Sequence, residues 1–65
     1  MKKTERQHFV VRRDTDNGPM WLTREKPLAW GERDRAIQYR SKGEAARAVE
    51  RLRLGAVSVE PLARD

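Results

Sequence analysis

Few side chains in this chain are suited to chemistry. It has one histidine, His8, two serines, Ser41 and Ser58, no cysteine, and ten carboxylates scattered among fifteen cations. A catalytic nucleophile needs a base within hydrogen-bond reach and a third group to orient that base. His8 stands beside a basic, aperiodic terminus, where such precision is hard to hold. Asp14 and Asp16 together could meet a cation, but a calcium loop demands more oxygens and an acidic residue downstream. Followed by Asn17-Gly18, they read instead as turn formers. No glycine loop for cradling phosphates is present. The inventory therefore points away from an enzyme, and no cofactor and no metal site is expected.

Cations beside aromatic rings are a more promising combination. Arg12, Arg13, Arg24 and Arg40 can meet phosphates, and Trp21 offers a flat ring on which a base could stack. Arg47 and Arg51, four residues apart, repel one another unless an anion lies over them. Glu44 and Glu50 nearby offer the plainer account, that of a solvated helix face. Trp21 is open to two readings, because a strand slip of one residue exchanges the faces of a sheet.

Length and charge bound the possibilities. Sixty-five residues form one small domain, at the low end of what folds alone, so a partner or a second copy would help it. Without cysteine the staples of small secreted domains are missing, and a reducing, cytoplasmic setting is expected. Phe9-Val10-Val11 is too short for a signal sequence and no apolar run could span a bilayer, so no membrane association is expected. The net charge is +5, and Lys2, Lys3, Arg6, Arg12 and Arg13 against Glu5 place +4 of it in residues 1–13. That basic end is a candidate electrostatic footprint for nucleic acid or for an acidic protein surface.

The element with the strongest signal is a helix from Ser41 to Gly55. Ser41 and Glu44 form a capping box, with Glu44 reaching back to the Ser41 amide, and Gly55 is the expected left-handed stop. Ala45, Ala48, Val49 and Leu52 fall on one face. Upstream, His8–Arg13 reads as a strand, Asp14–Pro19 as a turn and Met20–Arg24 as the returning strand. Glu25–Asp34, with Pro27 and Gly31, reads as a loop anchored by Trp30. Arg35–Arg40 alternates as a third strand, with Ile37 and Tyr39 inward, and Ala56–Glu60 alternates as a fourth, ended by Pro61. The fold class expected is α+β: a small antiparallel sheet in the order β-β-β-α-β with one helix packed on one face. Residues 1–7 form a flexible basic N-terminus, 8–62 the single domain and 63–65 a tail. Phe9, Val11, Met20, Leu22, Ile37, Tyr39, Val57 and Val59 would meet the helix stripe. The opposite face would display His8, Val10, Arg12, Trp21, Thr23, Gln38 and Arg40, with Ser58 and Glu60 at its margin.

The run Tyr39-Arg40-Ser41-Lys42-Gly43-Glu44-Ala45-Ala46-Arg47-Ala48 resembles two groups. One comprises short uncharacterised phage and prophage proteins in which strands precede a Y/F-x-S-x-x-E-A-x-x-A helix. The other is the three-stranded-sheet DNA-binding domain of plant ethylene-response factors and phage integrase N-termini. The likeness covers residues 35–54. The second resemblance implies a reading surface of Arg12, Trp21, Arg24 and Arg40. The chain departs from that family in the proline-containing segment before its third strand and in the strand after the helix.

The expectation is thus a small non-enzymatic basic binding module, an accessory protein of phage or mobile-element type that binds nucleic acid. Arg12, Arg13, Trp21, Arg24, Arg40, Arg47 and Arg51 are its candidate site. Two alternatives stay open. The same arginines could serve a protein-binding inhibitor or adaptor, such as an antagonist of a host nucleic-acid-binding defence complex. The chain could also be a self-associating structural module, a homodimer joined through an exposed edge strand.

Overall fold

The apolar side chains of Phe9 and Val11, and of Met20 and Leu22, can be buried together only if the two segments pair and turn one face to a common cover. The computed structural model describes residues 8–62, so the expectations for the basic terminus 1–7 and for the tail 63–65 lie outside the described residues. Strand β1 (His8–Thr15) and strand β2 (Gly18–Glu25) form an antiparallel hairpin. Its link is only Asp16-Asn17, shorter than the loop expected, and positive φ falls at Gly18 (107°), after the two central residues. A glycine there avoids the Cβ clash that other residues meet. The side chain that organises the turn is Thr15. Its hydroxyl donates to the Gly18 carbonyl at 2.7 Å and accepts from the Asn17 amide at 3.1 Å.

The third strand is not where the alternation of Arg35–Arg40 put it. Strand β3 is Leu28–Gly31, inside the segment expected to be a loop, and it joins β2 through the pair Lys26-Pro27, whose peptide bond is cis. Pro27 therefore occupies the turn, where its missing amide costs the ladder nothing. A register shift between Leu22 and Arg24 bends the β2–β3 ladder.

Arg35–Arg40 does something else. A 3-10 turn at Arg33–Arg35 leads into Ala36, which is buried. The β1–β2 ladder is registered from Arg12–Trp21 to Thr15–Gly18. Beyond it, the Leu22 carbonyl accepts from the Ile37 amide at 2.9 Å, and Phe9 and Tyr39 exchange two backbone bonds at 2.9 and 2.8 Å. Residues 37–39 thus take up main-chain groups of both strands that would otherwise be buried and unpaired. The inward alternation of Ile37 and Tyr39 holds, because both side chains pack on the core.

Helix α1 (Lys42–Leu52) starts at the expected cap, with Ser41 Oγ accepting from the Glu44 amide at 3.1 Å. The return bond differs: the Glu44 carboxylate accepts from the amide of Arg40, at 3.4 Å, rather than from that of Ser41. The end differs too. The left-handed residue that stops the helix is Arg53 (φ 53°, ψ 52°), with Gly55 a second positive-φ position. Leu54 donates to the Val49 carbonyl at 3.1 Å and Arg53 to that of Glu50 at 3.2 Å, the paired bonds of a Schellman cap. Leu54 and Val49 both pack on the core, the apolar contact that accompanies this cap.

Strand β4 (Ser58–Leu62) pairs with β1, giving the sheet order β3-β2-β1-β4, all antiparallel. The architecture is α+β, with one helix on one face of a four-stranded sheet. Val11, Leu22 and Ala45 are fully buried at its centre, and Phe9, Trp30, Ile37, Tyr39, Val49, Leu52, Leu54, Val57 and Val59 pack around them. Full burial of Val11 and of Leu22 contributes about 1.5–3 kcal/mol each. Trp30 therefore enters the core from an edge strand, and Leu54 joins it from the cap. No helix among the described residues is long and apolar enough to cross a membrane.

Candidate nucleic-acid interface

Antiparallel register brings Arg12, Trp21, Ser58 and Glu60 together on the sheet face turned away from α1. Arg12 lies opposite Trp21 on one side and Ser58 on the other, and Glu60 lies opposite Val10. The face is not bare there, since Val10 has no exposed surface. The Trp21 indole N–H donates to Glu60 Oε2 at 2.8 Å. The Arg12 guanidinium lies 5.9 Å from the Trp21 ring centroid, donates to Asp14 at 3.0 Å and sits 3.7 Å from Glu60. Arg33 reaches the same Glu60 carboxylate at 4.0 Å. Two guanidinium groups thus face two carboxylates, and the cluster around Trp21 is neutral. A groove of ≈ 420 Å³ opens beside it, lined by Arg12, Asp14, Ala56, Val57 and Ser58. Its two charged groups pair with each other, so it offers no net charge to a ligand.

Arg13 is on the other side of the sheet. It alternates with Arg12 along β1, and its guanidinium lies 4.5 Å over the ring of Trp30, itself packed on the core. This is within cation–π range.

A third grouping forms where the end of β2 meets α1. Tyr39 donates its phenol to Glu25 Oε2 at 2.5 Å, and Arg51 Nη2 donates to Glu25 Oε1 at 2.6 Å. The Tyr39 hydrogen bond, with Arg51 adding to it, holds the Glu25 carboxyl below its ordinary value against the opposing effect of partial burial. Burial first, and then Glu25, push the Tyr39 phenol well above its ordinary value. Glu25 is thereby kept as an anion committed to internal partners.

Several cations near this carboxylate in the sequence or on α1 have no such partner among the described residues. Arg24 and Lys26 flank Glu25 in sequence, Arg40 follows Tyr39, and Arg47 lies one turn before Arg51 on α1. All four are exposed. None has a carboxylate within ion-pair distance among the described residues, where the ion pairs are those of Arg12, Arg33 and Arg51.

The candidate residues therefore separate. Arg12 and Trp21 share the neutral cluster, Arg13 covers Trp30, and Arg51 joins Glu25 and Tyr39 at the corner, while Arg24, paired with Ala29, lies on the sheet face turned away from α1 and Arg40 and Arg47 are exposed. Sequence reasoning passed over Lys26, Glu25 and Tyr39 at that corner, and it left Glu60 at the margin of the face. The spacing of Arg47 and Arg51 was the one available signal for the corner. The role of Glu60 depends on β4 lying beside β1, which no local pattern announces. Comparison with protein-family models, with curated proteins and with solved structures finds no match to this chain.

Proposed function

We propose that this chain is a small, non-enzymatic, cytoplasmic binding module of phage or mobile-element type that holds nucleic acid by its phosphates. The reading rests on one observation. The exposed Arg24, Lys26, Arg40 and Arg47 have no carboxylate within ion-pair distance among the described residues, while Glu25 is turned inward to Tyr39 and Arg51. Cations free of internal partners release counterions when they meet phosphates, and affinity then falls steeply with salt. Four or five such contacts predict a log K against log salt slope of about −3.6 to −4.5 for a duplex. Anisotropy titrations of the full chain with a labelled oligonucleotide, from roughly 50 to 200 mM salt, measure it. A flat plot, or no binding at the lowest salt, refutes the reading.

One feature favours a second reading, the protein-binding adaptor or inhibitor. Leu28 is the exposed large apolar side chain among the described residues, at 47% exposure, and it stands beside Pro27 and Lys26 at the tip of the β2–β3 hairpin. An apolar tip rimmed by cations suits an acidic protein surface. Pull-down from nuclease-treated lysate would then recover one stoichiometric protein, lost with Leu28→Asp; recovery that ignores this substitution removes the reading. Pairing through β4 has less in its favour. Phe9 spends both backbone groups on Tyr39, so its partner Pro61 points outward, and proline offers an incoming strand no amide.

A further inference from the structure

Resting on that reading, we infer that the tip of the β2–β3 hairpin is a wedge for the minor groove of duplex DNA. Pro27 and Leu28 enter a base step, and Arg24 and Lys26 meet the flanking phosphates. Lys26, Pro27 and Leu28 are three consecutive exposed residues at this turn. Among the described residues Leu28 is the large apolar side chain left exposed, at 47%. The tip is also held. Glu25, the last residue of β2 and the register partner of Leu28, accepts from Tyr39 at 2.5 Å and from Arg51 at 2.6 Å. Those bonds tie the base of the turn to the segment before α1 and to α1 itself, and Pro27 fixes its own φ. The register shift between Leu22 and Arg24 re-aims the tip relative to the rest of the ladder.

Charge at the tip has one sign. Lys26 lies in the turn, and Arg24 pairs with Ala29 one register step behind it. Neither has a carboxylate within ion-pair distance among the described residues, and Glu25 between them is spent on Tyr39 and Arg51. Leu28 pairs with Glu25 and Arg24 with Ala29, so the apolar group and the guanidinium stand on opposite faces of a two-stranded ribbon. A ribbon entering a groove end-on has a phosphate strand on each side. Leucine and proline are among the side chains that unstack a base step and kink the duplex when they are inserted from the minor groove. A wedge of this kind needs one or two apolar side chains, whereas a stable protein interface buries about 800 Å² on each partner around an apolar centre. A lone exposed leucine among cations meets the first need and falls short of the second. Duplex RNA offers a wide, shallow minor groove instead, without close walls to bring phosphates to both sides of the tip.

The test titrates the full chain with a DNA duplex of about 30 base pairs that carries a dye at each end and 2-aminopurine at a central TA step. Binding is expected to raise energy transfer between the ends, as the duplex bends, and to raise 2-aminopurine emission, as the step unstacks. The TA duplex should bind roughly tenfold more tightly than one of G·C pairs alone, because that step is easily opened. Leu28→Ala should abolish both signals and weaken binding about tenfold while leaving the salt slope unchanged. Arg24→Ala and Lys26→Ala should each reduce the slope by about 1. Leu28 is exposed, so the thermal melt of Leu28→Ala should match that of the parent. Salt-sensitive binding without bending or unstacking, or bending that survives Leu28→Ala, overturns the inference and leaves nucleic-acid binding standing. Tighter binding to one of the strands, or to duplex RNA of the same sequence, overturns it too. A lysate protein lost with Leu28→Asp, where DNA binding ignores that substitution, overturns it by giving the tip to a protein partner. No binding to any probe at low salt overturns the parent reading itself.

Discussion

Replacing Tyr39 by Phe should remove one hydrogen bond and little else. The ring remains to pack on Val11, Leu22 and Ala45, and the backbone bonds to Phe9 are untouched. What disappears is the phenol that donates to Glu25 at 2.5 Å. Hydrogen bonds to a charged acceptor contribute about 1.5–3 kcal/mol. The Glu25 side chain keeps 30% of its surface exposed, so water can replace the phenol in part, and the lower end of that range applies. A loss of about 1.5 kcal/mol lowers Tm by roughly 6–12 °C in a domain this small. It is a sizeable share of the roughly 3–10 kcal/mol expected for such a chain. The acid limb should change as well. Glu25 titrates below its ordinary value in the folded protein, chiefly through Tyr39, so its contribution is present above the ordinary carboxylate pKa and is lost as pH falls through the folded value. Tyr39→Phe should therefore lose less stability than the parent when pH drops below about 4.5. Thermal melts followed by circular dichroism at pH 7 and through the acid range measure both effects. Equal melting temperatures at pH 7 and parallel acid limbs would refute the argument that this bond links the sheet to the segment before α1.

Other outcomes follow from the same structure. The only tyrosine should resist ionisation far beyond pH 10 in a phenolate absorbance titration, because burial and Glu25 raise its pKa; the stability it contributes is full below pH ~10 and is lost as pH rises through the folded value. An ordinary titration midpoint would contradict the Glu25 bond. Arg53→Gly should raise thermal stability, since relief of a left-handed arginine returns about 1–2 kcal/mol against a glycine entropy cost of about 0.5–1. A lower Tm would show that the arginine side chain stabilises the cap. Leu22→Ala should cost about 2–5 kcal/mol and lower Tm by at least roughly 8 °C, because Leu22 has no exposed surface. Retained cooperative melting near the parent temperature would place the core elsewhere.

Local chemistry accounts for much that was readable in advance. Ser41, Glu44 and the stripe of Ala45, Ala48, Val49 and Leu52 act within a few residues of one another, so the start and buried face of α1 were visible in the chain itself. The end was read two residues late, because Gly55 was the better left-handed candidate by propensity, yet the Leu54 amide bonds the Val49 carbonyl and both side chains pack on the core, which puts the reversal at Arg53. Arg35–Arg40 alternates as a strand should, but alternation reports only that successive side chains face opposite ways. Its backbone met two strands already paired elsewhere and became a connector, while Leu28–Gly31, too short to show a period, found the free edge of β2.

The amino-acid order alone determined the class of object: one capped helix, several half-buried strands and an excess of guanidinium groups. Those properties depend on residues near in sequence, or on simple counts. Only the tertiary structure decided which of the described arginines are paired. That depends on pairings across long separations, Glu60 with Arg12 and Trp21, and Glu25 with Tyr39 and Arg51. A charge is available to a partner only where the fold has brought no opposite charge beside it, and no stretch of sequence records that.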